Sequence, residues 1–406
     1  MRKDMRLLVI TFFSLGLVLL VYSLWTLPFS GKGPEGETAV SSSEVASSSE
    51  STPVEEPTFP KPNQLRLRSV GDLLIHDRVS AMALKDDGSY DFSDMLSVIK
   101  PYTQHADITV ANLEVITAYP QYPVSGYPSF NAPKSLLPTL KDIGIDIVSN
   151  ATNHTLDLDV NGAYASIENL KEAGLPYSGS FESQADKAQP RILEANGIKL
   201  GFLSYTYGTN GVPIPYGEEY VVNLVDTDKM LADVEWLKPQ VDAVVVTLQL
   251  GPEYDPIPNA EQEYVFNLLS EAGVSLILGG HPHVLQPVDW INGDKTFAIY
   301  SQASFLSGQV EEENKQGGIT EVTFVKDDAG KVSVTNPKFM PIHILGFENQ
   351  SLYQTVPFAD YNKYSIPNGA TWWETLKERM TSRTNKVAIV THLETATSAE
   401  DTDVFQ

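Results

Sequence analysis

Four short stretches combine residue types that can hold a metal ion or move a proton, and each follows an apolar run that reads as a β-strand. SVGDLLIH supplies Asp72 and His76, and TVANLE supplies Asn112 and Glu114. VSNATNHTLD supplies Asn150, Asn153, His154 and Asp157, and ILGGHPHVLQP supplies His281 and His283. Of the seven histidines in the chain, four lie in these stretches; His105, His343 and His392 lie outside them and read as structural or surface residues. Each stretch alone has an ordinary explanation. Gly-Asp is a common turn, and Asn-His after a strand caps a helix or closes a turn as readily as it forms a site. Two imidazoles flanking a proline after Gly-Gly have little packing rationale, and turn capping does not account for HPH together with NLE and TNH.

Carboxylate, amide oxygen and imidazole without thiolate suit manganese, iron or zinc better than calcium, which favours an all-oxygen cage. Two such ions ~4 Å apart would clamp a phosphoryl or carbonyl oxygen and lower the pKa of a bridging water. The chemistry expected from these residues is metal-assisted hydrolysis, with one or two divalent ions (Mn, Fe or Zn).

The elements that must position them are legible from Leu65 onward. LRLRSV, ADITVANL, IDIVSN, KLGFLSY, DAVVVTLQ, VSLILGG and FAIYSQ read as strands. Between several of them lie amphipathic helices expected at residues 134–143, 163–173, 228–237 and 260–272. Strands alternating with helices indicate an α/β architecture, and in such sheets ligands bind beyond the carboxyl ends of the strands. After about Pro341 the alternation weakens, with one helix expected at residues 372–380; Trp372 and Trp373 are expected to pack against the main domain.

In this order, Gly71-Asp72, Asn112-Leu113-Glu114, Asn153-His154, residues 251–254 and Gly280-His281-Pro282-His283 resemble the CapA family of poly-γ-glutamate capsule synthesis proteins. YPSFNAP from Tyr127 and SQASF from Ser301 resemble further blocks of that family, and the match covers roughly residues 65–341. The resemblance implies a calcineurin-like metallophosphatase sandwich, two β-sheets flanked by helices. It further implies that Asp72 and His283 hold one metal, Asn153 and His281 a second, and that Glu114 bridges them. His154 would be the catalytic proton donor or oxyanion stabiliser, and His76 an additional ligand of the first metal. Asn112, Glu253 and Tyr254 are further site candidates. Where the family usually reads His-Trp-Gly before Glu-Tyr, this chain has Gln249-Leu250-Gly251-Pro252-Glu253-Tyr254. An amide oxygen is a poorer ligand than imidazole for a divalent transition metal, so Gln249 is a weakened or lost ligand. A single-metal site, a site for harder ions and a site without turnover all fit this change.

The N-terminus carries Arg2, Lys3 and Arg6 before an uncharged apolar run, residues 7–29, long enough to span a bilayer. A cleaved signal peptide would have a shorter apolar core and a small-residue exit. The expected organisation is a cytoplasmic tip (1–6), a transmembrane signal anchor (7–29) and a disordered Ser/Glu/Pro-rich stalk (30–64). A metallophosphatase-like domain (65–345) and a C-terminal extension with an acidic end (346–406) follow. The positive-inside rule places the C-terminal domain outside a single-pass cell-membrane protein of Gram-positive type. There is no cysteine, hence no disulfide framework, thiolate site or lipoprotein anchor. With 28 Lys+Arg against 52 Asp+Glu the net charge is −24, which excludes nucleic acid as a natural partner and repels a polyanion at long range. The expected partners are the membrane, membrane synthase subunits and an anionic polymer or cell-wall substrate. Two functions stay open at this point. One is a metal-dependent hydrolase in synthesis or export of an anionic capsule polymer; the other is a non-catalytic assembly or polymer-docking component of a capsule synthase.

Overall fold

The computed structural model describes residues 61–346 and 353–396. The expected anchor at 7–29, the stalk up to residue 60 and the end of the acidic tail lie outside the described residues. Among the described residues no helix is long and apolar enough to cross a membrane.

Seventeen strands are present among the described residues. The first eight are β1 (Gln64–Leu74), β2 (Ile108–Leu113), β3 (Ile116–Tyr119), β4 (Asn131–Pro133), β5 (Ile147–Ser149), β6 (Tyr177–Ser178), β7 (Ile192–Ala195) and β8 (Ile198–Thr206). They are followed by β9 (Ala243–Gln249), β10 (Leu276–Gly280), β11 (Gln286–Ile291), β12 (Thr296–Ser301) and β13 (Ser304–Ser307). The last four are β14 (Gln316–Lys326), β15 (Val332–Leu345), β16 (Gln354–Pro357) and β17 (Ala388–Ile389). One sheet runs β16-β15-β14-β1-β2-β5-β6, with β13 paired to β1 and β17 to β15; the other runs β11-β12-β10-β9-β8-β7. Both are mixed. β1, β2, β5 and β6 are parallel, as are β8, β9, β10 and β12, and the antiparallel strands sit to the sides.

The alternation of side chains along each strand explains how the sheets stack. Leu65, Leu67, Ile108 and Val110 of the first sheet share one core with Leu200, Val245, Leu276 and Phe297 of the second. The opposite faces carry Val70, Ala111 and Val148 on one side and Val244, Val246 and Leu248 on the other. Those faces are covered by helices, including Asp159–Ala173 over the first sheet, and Thr227–Leu237 and Ala260–Ala272 over the second. The result is the two-sheet sandwich flanked by helices that the family resemblance implied.

The structure differs from the expectations in three ways. Asp72 is not past the first strand but inside β1, which continues two residues beyond it by pairing in parallel with β13. Helices begin up to four residues early, at Asp159 and Gly369, and the helix at Leu136–Asp142 is shorter than expected. The two long strands β14 and β15 had no counterpart in the reading; they join the first sheet through antiparallel pairing, and β16, beyond residue 346, extends the same edge.

The placement of Asp72 has a local cause. The register of β1 against β2 slips between Val70 and Asp72, a bulge at Gly71. Val70 belongs to the helix-covered core, and so does Leu73, an odd number of residues later. Without the slip, strict alternation would leave Asp72 on the face of Val70. With it, Asp72 turns toward the second sheet, where it meets residues of β9 and the loop after β10. The bulge needs glycine: a Cβ at Gly71 would lie 1.9 Å from the Ala303 carbonyl oxygen, and the Asp72 amide donates to that same oxygen at 2.7 Å.

Gly71→Ala should therefore cost about 1–3 kcal/mol of stability, as overpacking does. Gly208→Ala, at a loop glycine whose added Cβ would meet nothing within 4 Å, should stay within ~0.5 kcal/mol of the parent. Urea unfolding of both variants checks this; equal midpoints would remove the steric role of Gly71.

Candidate metal centre

The parallel strands of both sheets deliver their carboxyl ends to one rim, and every strand-end stretch singled out in the sequence contributes there. β1 carries Asp72 and β2 carries Asn112, with Glu114 one residue beyond. The turn after β5 carries Asn153 and His154; Gln249 ends β9, and His281 and His283 follow β10. All of these side chains are buried.

Glu114, His281 and His283 form the centre, with one potential ligand atom from each lying within 4.8 Å of the others. The Nδ1 atoms of His281 and His283 lie 3.9 and 3.8 Å from the two Glu114 oxygens. His283 Nδ1 also lies 3.0 Å from Asp72 Oδ2. Asn112 Nδ2 donates to Asp72 Oδ1 at 2.8 Å, and Ser149 Oγ donates to Asn112 Oδ1 at 2.7 Å, a chain that fixes the Asp72 carboxylate. Asn112 is thus a support of Asp72. Gln249 Nε2 reaches the same Asp72 oxygen at 3.4 Å.

The donor set fits a divalent cation on grounds internal to the site. Both Glu114 oxygens, Asn153 Oδ1, Gln249 Oε1 and His281 Nδ1 are buried and have no hydrogen-bond partner among the described residues. Buried polar atoms are nearly always partnered, and five in one place mark a site shaped for a ligand. They are oxygens of carboxylate and amide and nitrogen of imidazole, the donors expected for Mn, Fe or Zn. Burial and the neighbouring Asp72 charge push Glu114 well above the usual carboxylate range, the direction that a cation held beside it would oppose. Burial and the adjacent His283 hold His281 down at about 3, leaving a neutral imidazole with a lone pair to give.

Close approach is bought by backbone conformation. His281 and His283 adopt left-handed φ values of 92° and 55°, unusual for residues with a side chain and typical of functional sites. Gly280 lets the loop lie against Asp72: a Cβ there would sit 2.7 Å from Asp72 Oδ1 and 2.8 Å from Gln249 Nε2.

On the other side of the centre, His154 Nδ1 lies 2.8 Å from Asp157 Oδ2. A carboxylate accepts, so Nδ1 carries the proton and Nε2 is the ring nitrogen left for exchange. Asp157 also accepts from the Phe130 amide at 2.6 Å, and the Phe130 ring meets His154 edge-on at 4.7 Å and His76 at 5.0 Å. The structure places His76 beside the centre: its Nδ1 lies 2.9 Å from the Leu74 carbonyl oxygen and 3.0 Å from the Gly308 amide nitrogen, bonding to one or the other according to tautomer, and burial holds the imidazole down at about 4. Glu253 and Tyr254 stand exposed at the mouth, with the Tyr254 ring 6.2 Å from that of His283. Two residues of the mouth escaped the sequence reading. Tyr207 packs on His281 at 4.5 Å, and Asn210 reaches Asn153 and His154 at 3.4 Å each. Both follow β8, whose end held no histidine or carboxylate to draw attention.

The family described as bacterial capsule synthesis protein PGA_cap matches residues 66–309, more than half of the chain and all of the residues just placed in the centre. The chain belongs to this capsule synthesis family. The expected CapA resemblance is borne out in the same region. The PGA biosynthesis protein CapA of Bacillus subtilis (strain 168) is 28% identical over 213 residues, covering 50% of this chain and 53% of that protein. The capsule biosynthesis protein CapA of Bacillus anthracis is 26% identical over 254 residues, 61% of this chain and 60% of that protein. The chain therefore aligns with somewhat more than half the length of each. Among solved structures, a phosphatase from Mycoplasma pneumoniae has a TM-score of 0.42 at 16% identity, covering 70% of this chain and 95% of that one. A 5'-nucleotidase precursor from Thermus thermophilus has a TM-score of 0.42 at 14% identity, covering 78% and 60%.

Gly280→Ala should displace Asp72 and Gln249 and weaken metal binding by about 10–100-fold, the usual size of an effect on the groups that orient ligands. Competition against a metal-sensing chelator measures it, with circular dichroism as the check on folding. Unchanged affinity in a folded variant would mean that the approach of the β10 loop to Asp72 is not needed.

Proposed function

We propose that this chain is a membrane-anchored, outward-facing hydrolase that takes part in synthesis or export of an anionic capsule polymer, poly-γ-glutamate. The observation that carries the hydrolase reading is the convergence of unpartnered buried oxygens and nitrogens from Glu114, Asn153, Gln249 and His281 beside an Asp-oriented histidine. Family membership and relatives named for capsule and PGA biosynthesis support the polymer role. The apolar run at 7–29 with basic residues before it supports the anchor and the outward orientation.

In this reading Glu114, His281 and His283 would hold the ion, with Asp72 beside them and the unpartnered oxygens of Asn153 and Gln249 as further donors. A divalent ion of this kind polarises a phosphoryl or carbonyl oxygen and makes water a usable nucleophile at neutral pH. The chain's own residues supply the rest. Asn112 and Ser149 hold Asp72 in place. Asp157 fixes the tautomer of His154, whose Nε2 exchanges a proton with the reacting oxygen, a role imidazole suits near neutral pH.

Gln249 favours a second reading. Its Nε2 is committed to Asp72, and its oxygen is a weaker ligand than imidazole, as in a centre that binds one ion and serves polymer docking within a synthase complex.

His154→Ala should keep its bound metal yet lose about 10²–10⁴ of the hydrolysis of bis(p-nitrophenyl) phosphate. Metal content and turnover measured on one sample decide between the readings. Metal-loaded parent protein without turnover moves the function to docking, and full turnover in His154→Ala removes the histidine from catalysis.

A further inference from the structure

An open cleft of about 490 Å³ adjoins the metal centre, lined by residues that include Tyr254, Val284, Gln309, Glu311, Asn314 and Trp372. It is within the size range of ligand sites. It shares Tyr254 with the mouth of the centre, and Val284 directly follows His283. The Tyr254 amide donates to the Pro282 carbonyl at 2.8 Å, so the wall of the cleft is tied to the metal-binding loop itself.

The far wall is the helix Gly369–Met380. Its adjacent tryptophans divide their tasks. Trp373 stacks on Phe358 in the core at 6.5 Å, while Trp372 packs at the core's edge and lines the cleft. Arg379 of this helix pairs with Glu313 at 2.6 Å and donates to the Leu285 carbonyl at 3.3 Å, joining the helix to both the acidic loop and the segment after His283.

Charge narrows the ligand. The lining includes Glu311, Glu312 and Glu313 and no lysine or arginine among the described residues. Glu312 pairs with Lys315 and Glu313 with Arg379, so two of the three carboxylates are already neutralised. A cleft left with about one unbalanced negative charge is neither a strong cation trap nor a seat for a polyanion. It offers instead two aromatic side chains, Tyr254 and Trp372, a half-exposed Val310, and the amide residues Gln309 and Asn314. Flat apolar faces ringed by amide and carboxylate groups match a neutral ring whose faces are C–H and whose rim is hydroxyl and amide.

We infer that this cleft is a saccharide subsite, seating a neutral pyranose unit between Tyr254 and Trp372 while the scissile group of the same substrate lies at the metal centre. The inference rests on the hydrolase reading for the second half of that statement, and the subsite itself stands without metal. The substrate it selects carries a sugar, such as a cell-wall glycan or glycosylated carrier, and the polyglutamate chain does not run through this cleft.

The test is calorimetric titration of the full chain with N,N'-diacetylchitobiose, with and without chelator, alongside a tri-γ-glutamate peptide as a polyanionic probe. Saturable chitobiose binding is expected, insensitive to chelator, weakened about tenfold or more by Trp372→Ala and largely retained by Trp372→Phe. Bound metal should be unchanged in both variants. No saturable chitobiose binding to the folded parent would overturn the subsite, as would equal binding by Trp372→Ala or tri-γ-glutamate binding that Trp372→Ala abolishes. Because chitobiose binding is read on chelator-treated protein, loss of the metal-centre reading would leave this result standing.

Discussion

A fully buried glutamate beside a buried aspartate is the constraint on which this structure depends. Glu114 and Asp72 are both wholly removed from solvent, and the two histidines nearest them are nearly so. In a medium of low dielectric two carboxylates cannot both stay charged without a cation or an unusually dense set of donors. Asp72 has donors in Asn112 and Gln249; among the described residues Glu114 has none. The surrounding fold reads as the set of devices that hold this arrangement together. A bulge at Gly71 turns Asp72 inward, Gly280 removes the Cβ that would displace it, and left-handed backbone at His281 and His283 brings both imidazoles to Glu114. Such strain persists only where the surroundings over-determine it, and the sandwich of two parallel-cored sheets supplies that rigidity.

Much of the centre was legible in the sequence because carboxylate, amide and imidazole side chains stood at the ends of apolar runs. Parallel strands collect their carboxyl ends on one rim, so that position along the chain became position in space. Other features could not be read in this way. The inward turn of Asp72 depends on a register slip that changes no residue type. Tyr207 and Asn210 act on His281, Asn153 and His154 from a loop more than fifty residues away, in a segment without metal-binding residues. Phe130 lay in a recognised block, but its contacts to both His76 and His154 are tertiary. The strands β14 and β15 pair with each other as a hairpin, but both mix polar residues among the apolar ones, whereas the parallel strands announced themselves as short continuous apolar runs.

The charge of the chain acquires meaning from this layout. A net charge of −24 repels an anionic polymer, and Asp72, Asp157 and Glu253 close to the centre add to that field. A bound divalent ion reverses the sign locally, over a distance set by screening, while the rest of the surface keeps its repulsion. Chemistry on an anionic group is thereby confined to one point, and the neighbouring cleft, with most of its own charge balanced, is free to select by shape and stacking.

The central claim is that an ion sits among Glu114, His281 and His283. Anomalous diffraction from crystals of the protein, collected across the manganese, iron and zinc absorption edges, tests it directly. The account predicts an anomalous peak within coordinating distance of Glu114 and both imidazoles, with a second peak, if present, beside Asn153 and Gln249. A well-ordered centre with no peak after loading with each metal, or a peak held by other residues, would contradict it.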